Sequence, residues 1–167
     1  MRVTSGGRHP VTTEGNLDGH VFALSPNGRY LLYTVPTDTV EFDGPFNDLI
    51  LLDVVLVDQQ PLTLPIGDVL WAGWSPDGRQ IAYAVAPSTD KSNHEIRIVN
   101  ADGSGTPLEP VLSDGDDIYP VYSPDGKYIA FSSSRRGAYD IYIYDLTANM
   151  LWQLTDSEEE DYPGGWA

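Results

Sequence analysis

The sequence lacks cysteine altogether and is poor in basic residues. Without cysteine there is no disulfide framework, no thiolate metal site and no cysteine nucleophile. No apolar run approaches the roughly 20 residues that a membrane-spanning helix needs, so membrane insertion is not expected. The first residues, Met1 to Pro10, are polar, and the sequence therefore predicts no signal peptide at this position.

The charge balance is strongly acidic. Nine Lys and Arg face 25 Asp and Glu, which gives a formal net charge of −16 at pH 7. A field of this sign repels nucleic acid and anionic membrane surfaces, so we expect neither as a partner. It favours cations or a basic protein surface. A solvated acidic surface without a specific partner is the alternative.

A turn motif with strand-like flanks dominates the last third of the chain. Ser123-Pro124-Asp125-Gly126 combines a proline that presets φ with an Asp and a Gly that suit tight turns. Ile118 to Tyr122 precedes it and Tyr128 to Ser132 follows, both rich in β-branched and aromatic residues. Further strands are predicted from Tyr139 to Tyr144 and from Leu151 to Thr155. One unit is therefore predicted to hold four antiparallel strands.

The unit recurs twice upstream, around Ser25-Pro26-Asn27-Gly28 and Ser75-Pro76-Asp77-Gly78. The three serines are 50 and 48 residues apart, a period typical of four-stranded propeller blades. The chain is thus predicted to be all-β, with about three blades in a single arc over residues 1–167. The predicted blades cover about 18–64, 68–112 and 117–155, with fourth strands of the first two blades predicted at Pro61 to Leu64 and near Thr106 to Val111. Residues 1–13 and 161–167 are expected to be terminal strands of incomplete blades.

The repeat resembles that of the TolB-like β-propeller family. The third unit carries the pattern at Asp117, Pro120, Ser123 to Gly126 and Asp140 to Tyr142, with Tyr122 where the family has Trp. The second unit matches at Asp68 and at Trp74 to Gly78. The first unit is weaker, because it has Leu24 where the family has Trp and Asn27 where the family has Asp. The resemblance implies the fold, a periplasmic or extracellular location, and protein or peptide binding. Since such blades also occur in prolyl-oligopeptidase-like peptidases, it does not fix the function.

Three blades form an open arc rather than a ring. Propellers close with about four to eight blades, and closure hides the apolar blade faces. Two arcs related by a two-fold axis would complete a six-bladed ring. We therefore expect a homodimer. A piece of a longer protein that stays monomeric is the alternative.

Acidic residues cluster in the loops that enter the first strand of each unit. In a propeller these loops gather on the same face as the loops between second and third strands. One such group, Asp114, Asp116 and Asp117, is a candidate set of ligands for calcium, which prefers oxygen donors. The alternative is turn chemistry, in which each carboxylate binds local backbone N–H groups. Acids expected at equivalent positions are Asp18, Asp68, Asp117 and Asp161.

Candidate partner contacts lie in loops of the same face. Most Trp and Tyr side chains, those of first strands included, are expected to pack between blades. Phe42, Phe46 and Tyr139 are instead aromatic residues expected to be exposed, and such residues often anchor interfaces. Arg135 and Arg136 are the one basic doublet, and they could bind a carboxylate ligand or pair with the acids. Intramolecular pairing is the favoured interpretation of the doublet.

The sequence favours a non-enzymatic binding or assembly module. It has no Gly-x-Ser-x-Gly elbow, and His9, His20 and His94 show no metal-ligand spacing, so no catalytic residue is assigned. One alternative is the propeller domain of a peptidase-like or glycan-acting hydrolase, whose catalytic part is absent or lies in channel carboxylates. Another is a half-ring that serves only self-assembly.

Overall fold

The computed structural model describes residues 21–37, 46–56, 58–62, 67–86, 93–110 and 113–166. Within these ranges the chain forms three antiparallel sheets and no helix, which confirms the predicted all-β fold. Accordingly, these residues contain no helix long and apolar enough to cross a membrane.

Each sheet follows one predicted unit. The first holds β1 to β4, the second β5 to β7, and the third β8 to β11, in each case with sequence neighbours paired. The strand bounds are β1 Val21–Leu24, β2 Tyr30–Thr37, β3 Phe46–Asp53, β4 Asp58–Pro61, β5 Asp68–Trp74, β6 Gln80–Ala86, β7 Glu95–Asn100, β8 Asp117–Tyr122, β9 Tyr128–Ser133, β10 Asp140–Asp145 and β11 Met150–Gln153.

The repeated turn has the same hydrogen bonds in all three sheets. In the second sheet the Ser75 hydroxyl donates to the Asp77 carboxylate at 2.7 Å, and that carboxylate accepts from the Arg79 amide at 3.0 Å. The third turn repeats this with Ser123 and Asp125. In all three turns the glycine adopts a positive φ, 69° to 71°, which glycine tolerates best. This shared geometry joins the first two strands of each unit.

The sheets pack face to face in sequence order. Leu32 and Leu49 of the first sheet lie in one apolar cluster with Ile81 and Tyr83 of the second. The other face of the second sheet packs against the third sheet. In this second cluster Ile96 packs with Phe131 and Tyr142. Burial of each such side chain stabilises the fold by about 1.5–3 kcal/mol.

First strands contact first strands across both junctions, β1 against β5 and β5 against β8. In the described ranges the outermost strands of neighbouring sheets do not contact one another: β4 makes no contact with β7, and β7 makes none with β11. The sheets therefore fan out from their first strands, as expected for consecutive propeller blades.

The fourth strands depart from the prediction in two sheets. The fourth strand predicted near Thr106 to Val111 is not seen in the second sheet, where the described residues form only a single bridge, between Leu108 and Ile98. Pro107 and Pro110 flank Leu108 and have no N–H to donate, which limits the pairing. In the first sheet the strand lies at Asp58–Pro61, and the predicted range Pro61 to Leu64 was too late.

Candidate functional site

Loops of the predicted face come together between the second and third sheets. Asp116 lies in the loop that enters β8, and its side chain contacts His94, just before β7, and Tyr139, just before β10. The loops that enter first strands and those that precede third strands therefore meet here, as the repeat predicted. We call this surface the loop face.

Asp116 is the hub of the hydrogen bonds on the loop face. Its Oδ1 accepts from the His94 amide at 2.6 Å and lies 2.6 Å from His94 Nδ1. Because a carboxylate can only accept, this contact places a proton on Nδ1. Its Oδ2 accepts from the Tyr139 hydroxyl at 2.5 Å. Burial and the bond to Asp116 both raise the pKa of Tyr139, so this hydroxyl keeps its proton at physiological pH.

The same contact recurs one sheet earlier. Asp68 Oδ1 accepts from the Asn47 amide at 2.9 Å and from Asn47 Nδ2 at 2.6 Å. Asn47 and His94 occupy corresponding places near the start of third strands. Asp116, and not Asp117 as the sequence indicated, is thus the counterpart of Asp68. These acids tie the third strand of one sheet to the loop that enters the next.

Asp117 forms the buried ion pair of the loop face. Its side chain is 1% exposed and lies 3.1 Å from Arg135 Nη2, and Ser113 donates to it at 2.9 Å. Burial raises the pKa of Asp117, while Arg135 and the serine hydroxyls oppose that rise. Arg135 also stands over the Tyr142 ring, 4.6 Å from its centroid. Its guanidinium is therefore engaged within the chain, as the favoured interpretation of the basic doublet expects, but this holds for Arg135 and not for Arg136.

Glycine is required at the entrance to the third sheet. A Cβ on Gly115 would lie 2.4 Å from the backbone nitrogen of Arg135 and 2.5 Å from its Cα. Such distances are far inside van der Waals contact. The close approach allows Ser134 N to donate to the Asp116 carbonyl at 3.1 Å, which ties this loop to the end of β9.

Three aromatic rings form a row across the loop face, and we call them the aromatic row. Trp71 of β5 lies 4.4 Å from Tyr119 of β8, and Tyr119 lies 5.4 Å from Tyr162, measured between ring centroids. Tyr119 and Tyr162 each precede a proline, and Trp71 and Tyr119 each lie three residues before the aromatic that leads into a turn. Successive units therefore supply one ring each.

Tyr119 combines exposure with an unusual backbone. Its φ is +56°, a left-handed conformation that costs a residue with a side chain about 1–2 kcal/mol. The pairing of β8 with β9 is irregular at this point, between Ile118 and Val121. Despite its size the tyrosine is 36% exposed. Exposed residues in strained conformations concentrate at functional sites, which makes Tyr119 a candidate.

His94 packs beneath the aromatic row. The residue is 6% exposed, and Trp71 meets its ring edge-on at 5.8 Å between centroids. Nδ1 binds Asp116, whereas Nε2 is buried and has no hydrogen-bond partner within the described ranges. His94 therefore joins the aromatic row to the Asp116 hub.

The remaining predicted site residues differ in their exposure and in the contacts that they make. Asp114 and Arg136 are exposed, and neither forms a hydrogen bond or ion pair with described residues. Phe42 lies outside the described residues. Phe46 opens β3, opposite Thr37, so it is not in the preceding loop as predicted. Tyr139 is half-buried and bound to Asp116 rather than fully exposed.

The predicted calcium ligands point to different partners. Asp116 binds His94 and Tyr139, and Asp117 binds Arg135 and Ser113. Among the residues that the structure describes, no group of three or more His, Asp or Glu is placed to hold a metal ion. Calcium binding stays a prediction.

Sequence reasoning missed Tyr119, Tyr162 and His94 as site residues. The aromatic side chains of first strands were interpreted as packing between blades, and Trp71 does pack in that way. Tyr162 lies in the last described segment, where no strand forms. The usable signal was a large aromatic residue directly before Pro120 and again before Pro163.

A separate cavity of about 700 Å³ opens between the first and second sheets, on the side of the repeated turns. Arg29, Arg79 and Trp74 are among the residues that line it. Arg29 is paired with Asp53 at 2.7 Å across its wall. None of the residues that the sequence singled out as site candidates lies here.

Two known proteins are similar in sequence to about half of this chain. The chain is 33% identical over 92 residues to an uncharacterised protein of Agrobacterium fabrum, which covers 55% of this chain and 30% of that protein. It is 35% identical over 106 residues to dipeptidyl-peptidase 5 of Porphyromonas gingivalis, which covers 54% of this chain and 15% of that protein. The chain thus spans less than a third of the length of either relative. No family model matches the sequence.

Several solved structures superpose on most of this chain. A protein described as TolB from Agrobacterium tumefaciens superposes with a TM-score of 0.69 at 22% identity, over 86% of this chain and 50% of that one. TolB from Acinetobacter baumannii superposes with a TM-score of 0.68 at 21% identity, over 88% of this chain and 34% of that one. A puromycin-hydrolysing peptidase of Mycobacterium tuberculosis gives a TM-score of 0.65 at 16% identity, over 86% and 24%. The fold of this chain is therefore that of a TolB-like β-propeller, present as a partial ring.

Proposed function

We propose that the chain is a non-enzymatic module that binds a protein or peptide on its loop face. One observation carries the proposal: the aromatic row ends in two tyrosines that are 36% and 44% exposed, on the face where the acidic loops gather. Aromatic side chains at the surface are typical interface anchors. TolB-like neighbours and the resemblance of the repeat support the same interpretation, and they favour a periplasmic or extracellular location.

Selection from a random peptide library tests this proposal. We expect enriched peptides to bind the wild-type chain and to shift the NMR signals of Trp71, Tyr119 and Tyr162. A double variant, Tyr119→Ser with Tyr162→Ser, should lose that binding while its far-UV spectrum stays unchanged. The proposal would be contradicted by enriched peptides that shift signals on the side of the repeated turns instead of the loop face. Peptides that bind the double variant as well as the wild type would contradict it too.

A second candidate function is the propeller domain of a hydrolase. It is supported by the relative named dipeptidyl-peptidase 5 and by the structural likeness to a puromycin-hydrolysing peptidase. Fluorogenic dipeptidyl substrates distinguish the two candidates. They are offered to this chain alone and to a joined protein, in which the chain is extended by any coding sequence that adjoins it. Turnover by the joined protein alone would favour the hydrolase, and turnover by neither would favour the binding module.

We further propose that a second copy of the chain packs against the third sheet. Trp152 of β11 and Leu154, just after that strand, are 41% and 60% exposed in the described structure. The TolB chain of Agrobacterium tumefaciens is about twice the length that this chain matches. Two copies would supply the six blades of a closed ring.

Calcium at Asp114, Asp116 and Asp117 is the remaining proposal. A melting temperature that rises with millimolar calcium and falls back with EDTA would support it, since ligands that bind only the folded state stabilise it. An unchanged melting temperature would rule it out.

A further inference from the structure

The exposed end of the aromatic row has two walls. The rings of Tyr119 and Tyr162 stand 5.4 Å apart at an interplanar angle of 82°. Trp71 packs behind Tyr119, and Tyr139 lies 5.7 Å from Tyr162. Both exposed rings are thus held in place from the side that faces the protein.

A carboxylate is fixed at the rim of these walls. Glu160 accepts a hydrogen bond from the Tyr162 hydroxyl at 2.7 Å. That bond is the largest cause of the raised pKa of Tyr162, about 12, so the phenol keeps its proton and stays a donor. Glu160 is itself exposed, which leaves its second oxygen open to the solvent.

The charge around the rim is negative and uncompensated. Glu158, Glu159 and Asp161 flank Glu160 in the chain. No Lys or Arg of the described ranges forms an ion pair with any of these four acids. The closest ion pairs that arginines form in the described ranges lie elsewhere, as Arg135 with Asp117 and Arg29 with Asp53. Within the described ranges the rim therefore has no basic partner from the chain itself.

Together these features define a ligand chemistry. Tyrosine ring faces attract cations through their quadrupole, and a carboxylate beside them adds direct charge attraction. The structure assigns the niche formed by Tyr119, Tyr162 and Glu160 to a lysine or arginine side chain of the bound partner. This assignment rests on the proposed binding function of the loop face and names the group that the face recognises.

The ring geometry argues against a sugar as the occupant. A pyranose stacks on a flat aromatic platform, whereas the row turns by 55° between Trp71 and Tyr119 and by 82° between Tyr119 and Tyr162. Walls that meet at steep angles suit a compact cation better. Binding of a neutral oligosaccharide thus becomes an outcome that would overturn the assignment.

Short peptides that differ only in charge provide the test. Acetylated and amidated Gly-Arg-Gly, Gly-Lys-Gly, Gly-citrulline-Gly and Gly-Glu-Gly are titrated into the full chain, along with N-acetylglucosamine trimer. Amide signals of Tyr119 and Tyr162 and the indole signal of Trp71 are followed by NMR. We expect the arginine and lysine peptides to bind at least about fivefold more tightly than the citrulline peptide, and the difference to shrink in high salt.

Matched variants locate the effect. Glu160→Gln should remove most of the preference for arginine over citrulline. Glu159→Gln, with the same change in net charge but no contact with Tyr162, should retain it. Tyr162→Phe keeps the ring and loses the bond to Glu160, and Tyr119→Leu removes a wall. Far-UV and one-dimensional NMR spectra show whether each variant is folded.

The outcomes separate the two proposals. Equal affinity for arginine and citrulline, equal effects of Glu160→Gln and Glu159→Gln, or preferred binding of the sugar would overturn the cation assignment. Library peptides without basic residues that still bind the loop face would overturn it too, yet leave the binding function standing. If neither the charged tripeptides nor any library peptide shifts the aromatic row, both proposals fail.

Discussion

Asp116 joins three segments of the loop face through one carboxylate. Replacement by Ala would leave the His94 amide, His94 Nδ1 and the Tyr139 hydroxyl without their acceptor. An unsatisfied buried polar group costs about 1–3 kcal/mol, so we expect Asp116→Ala to lower the free energy of unfolding by about 2–4 kcal/mol. Urea unfolding measures the loss. Asp114→Ala, at an exposed neighbour without such contacts, should change stability by less than about 0.5 kcal/mol.

Gly115 lies where the loop that enters β8 closely approaches the backbone just after β9. A methyl group here meets backbone atoms of Arg135 that cannot swing aside. We expect Gly115→Ala to destabilise the chain by about 1–3 kcal/mol, measured by urea unfolding. Gly164→Ala is the control, since a Cβ at that position would have nothing within 4 Å. Similar stabilities of the two variants would show that the close approach is not rigid.

The repeated turn carries its own pH dependence. The Ser75 hydroxyl is the largest cause of the lowered pKa of Asp77, and Ser123 acts likewise on Asp125. A carboxyl whose pKa is lower in the folded state stabilises the fold above its ordinary pKa of 3.8, and this contribution is lost as the pH falls through the folded value. The first turn has Asn27, which makes the same contacts at 2.7 and 2.9 Å without a titratable group.

The double variant Asp77→Asn with Asp125→Asn should therefore fold like the wild type at pH 7. Between pH 7 and pH 3 it should lose less stability than the wild type, because two acid-sensitive groups are gone. Urea unfolding at both pH values measures this. Glu158→Gln with Glu159→Gln removes the same charge away from the turns and should keep the wild-type difference. Identical acid losses in both double variants would contradict the role given to the turns.

The strands that adjoin the repeated turn could be predicted from the sequence, because the same local pattern recurs in every unit. The turn residues and the alternating flanks identified the inner three strands of every unit. The fourth strand of the second unit failed because Pro107 and Pro110 limit pairing on either side of Leu108. The loop face could be predicted from topology, and Arg135 and Tyr139 lie on it. Contacts made across units, such as that of Tyr162 with Tyr119, could not, because they depend on how successive sheets are placed.

The last described segment repeats a contact that is also made between neighbouring sheets. The Trp74 indole donates to the Ala23 carbonyl at 3.4 Å, and the Trp166 indole donates to the Val121 carbonyl at 3.3 Å. Trp166 therefore lies against the third sheet as Trp74 lies against the first. Trp152 and Trp166 both contact Tyr128, and they are 41% and 37% exposed. This side of the third sheet is the surface that a second copy would cover.

Sedimentation at micromolar concentration should then give a dimer of the 18.3 kDa chain. Trp152→Glu places a charge on the surface to be covered and should shift the population to monomer, because burying an unpaired carboxylate is unfavourable. Leu108→Glu is the control: Leu108 is 58% exposed on the second sheet, away from that surface, and its variant should remain dimeric. A wild-type chain that sediments as a monomer would remove the second copy from the proposal. Equal dissociation of both variants would place the interface elsewhere.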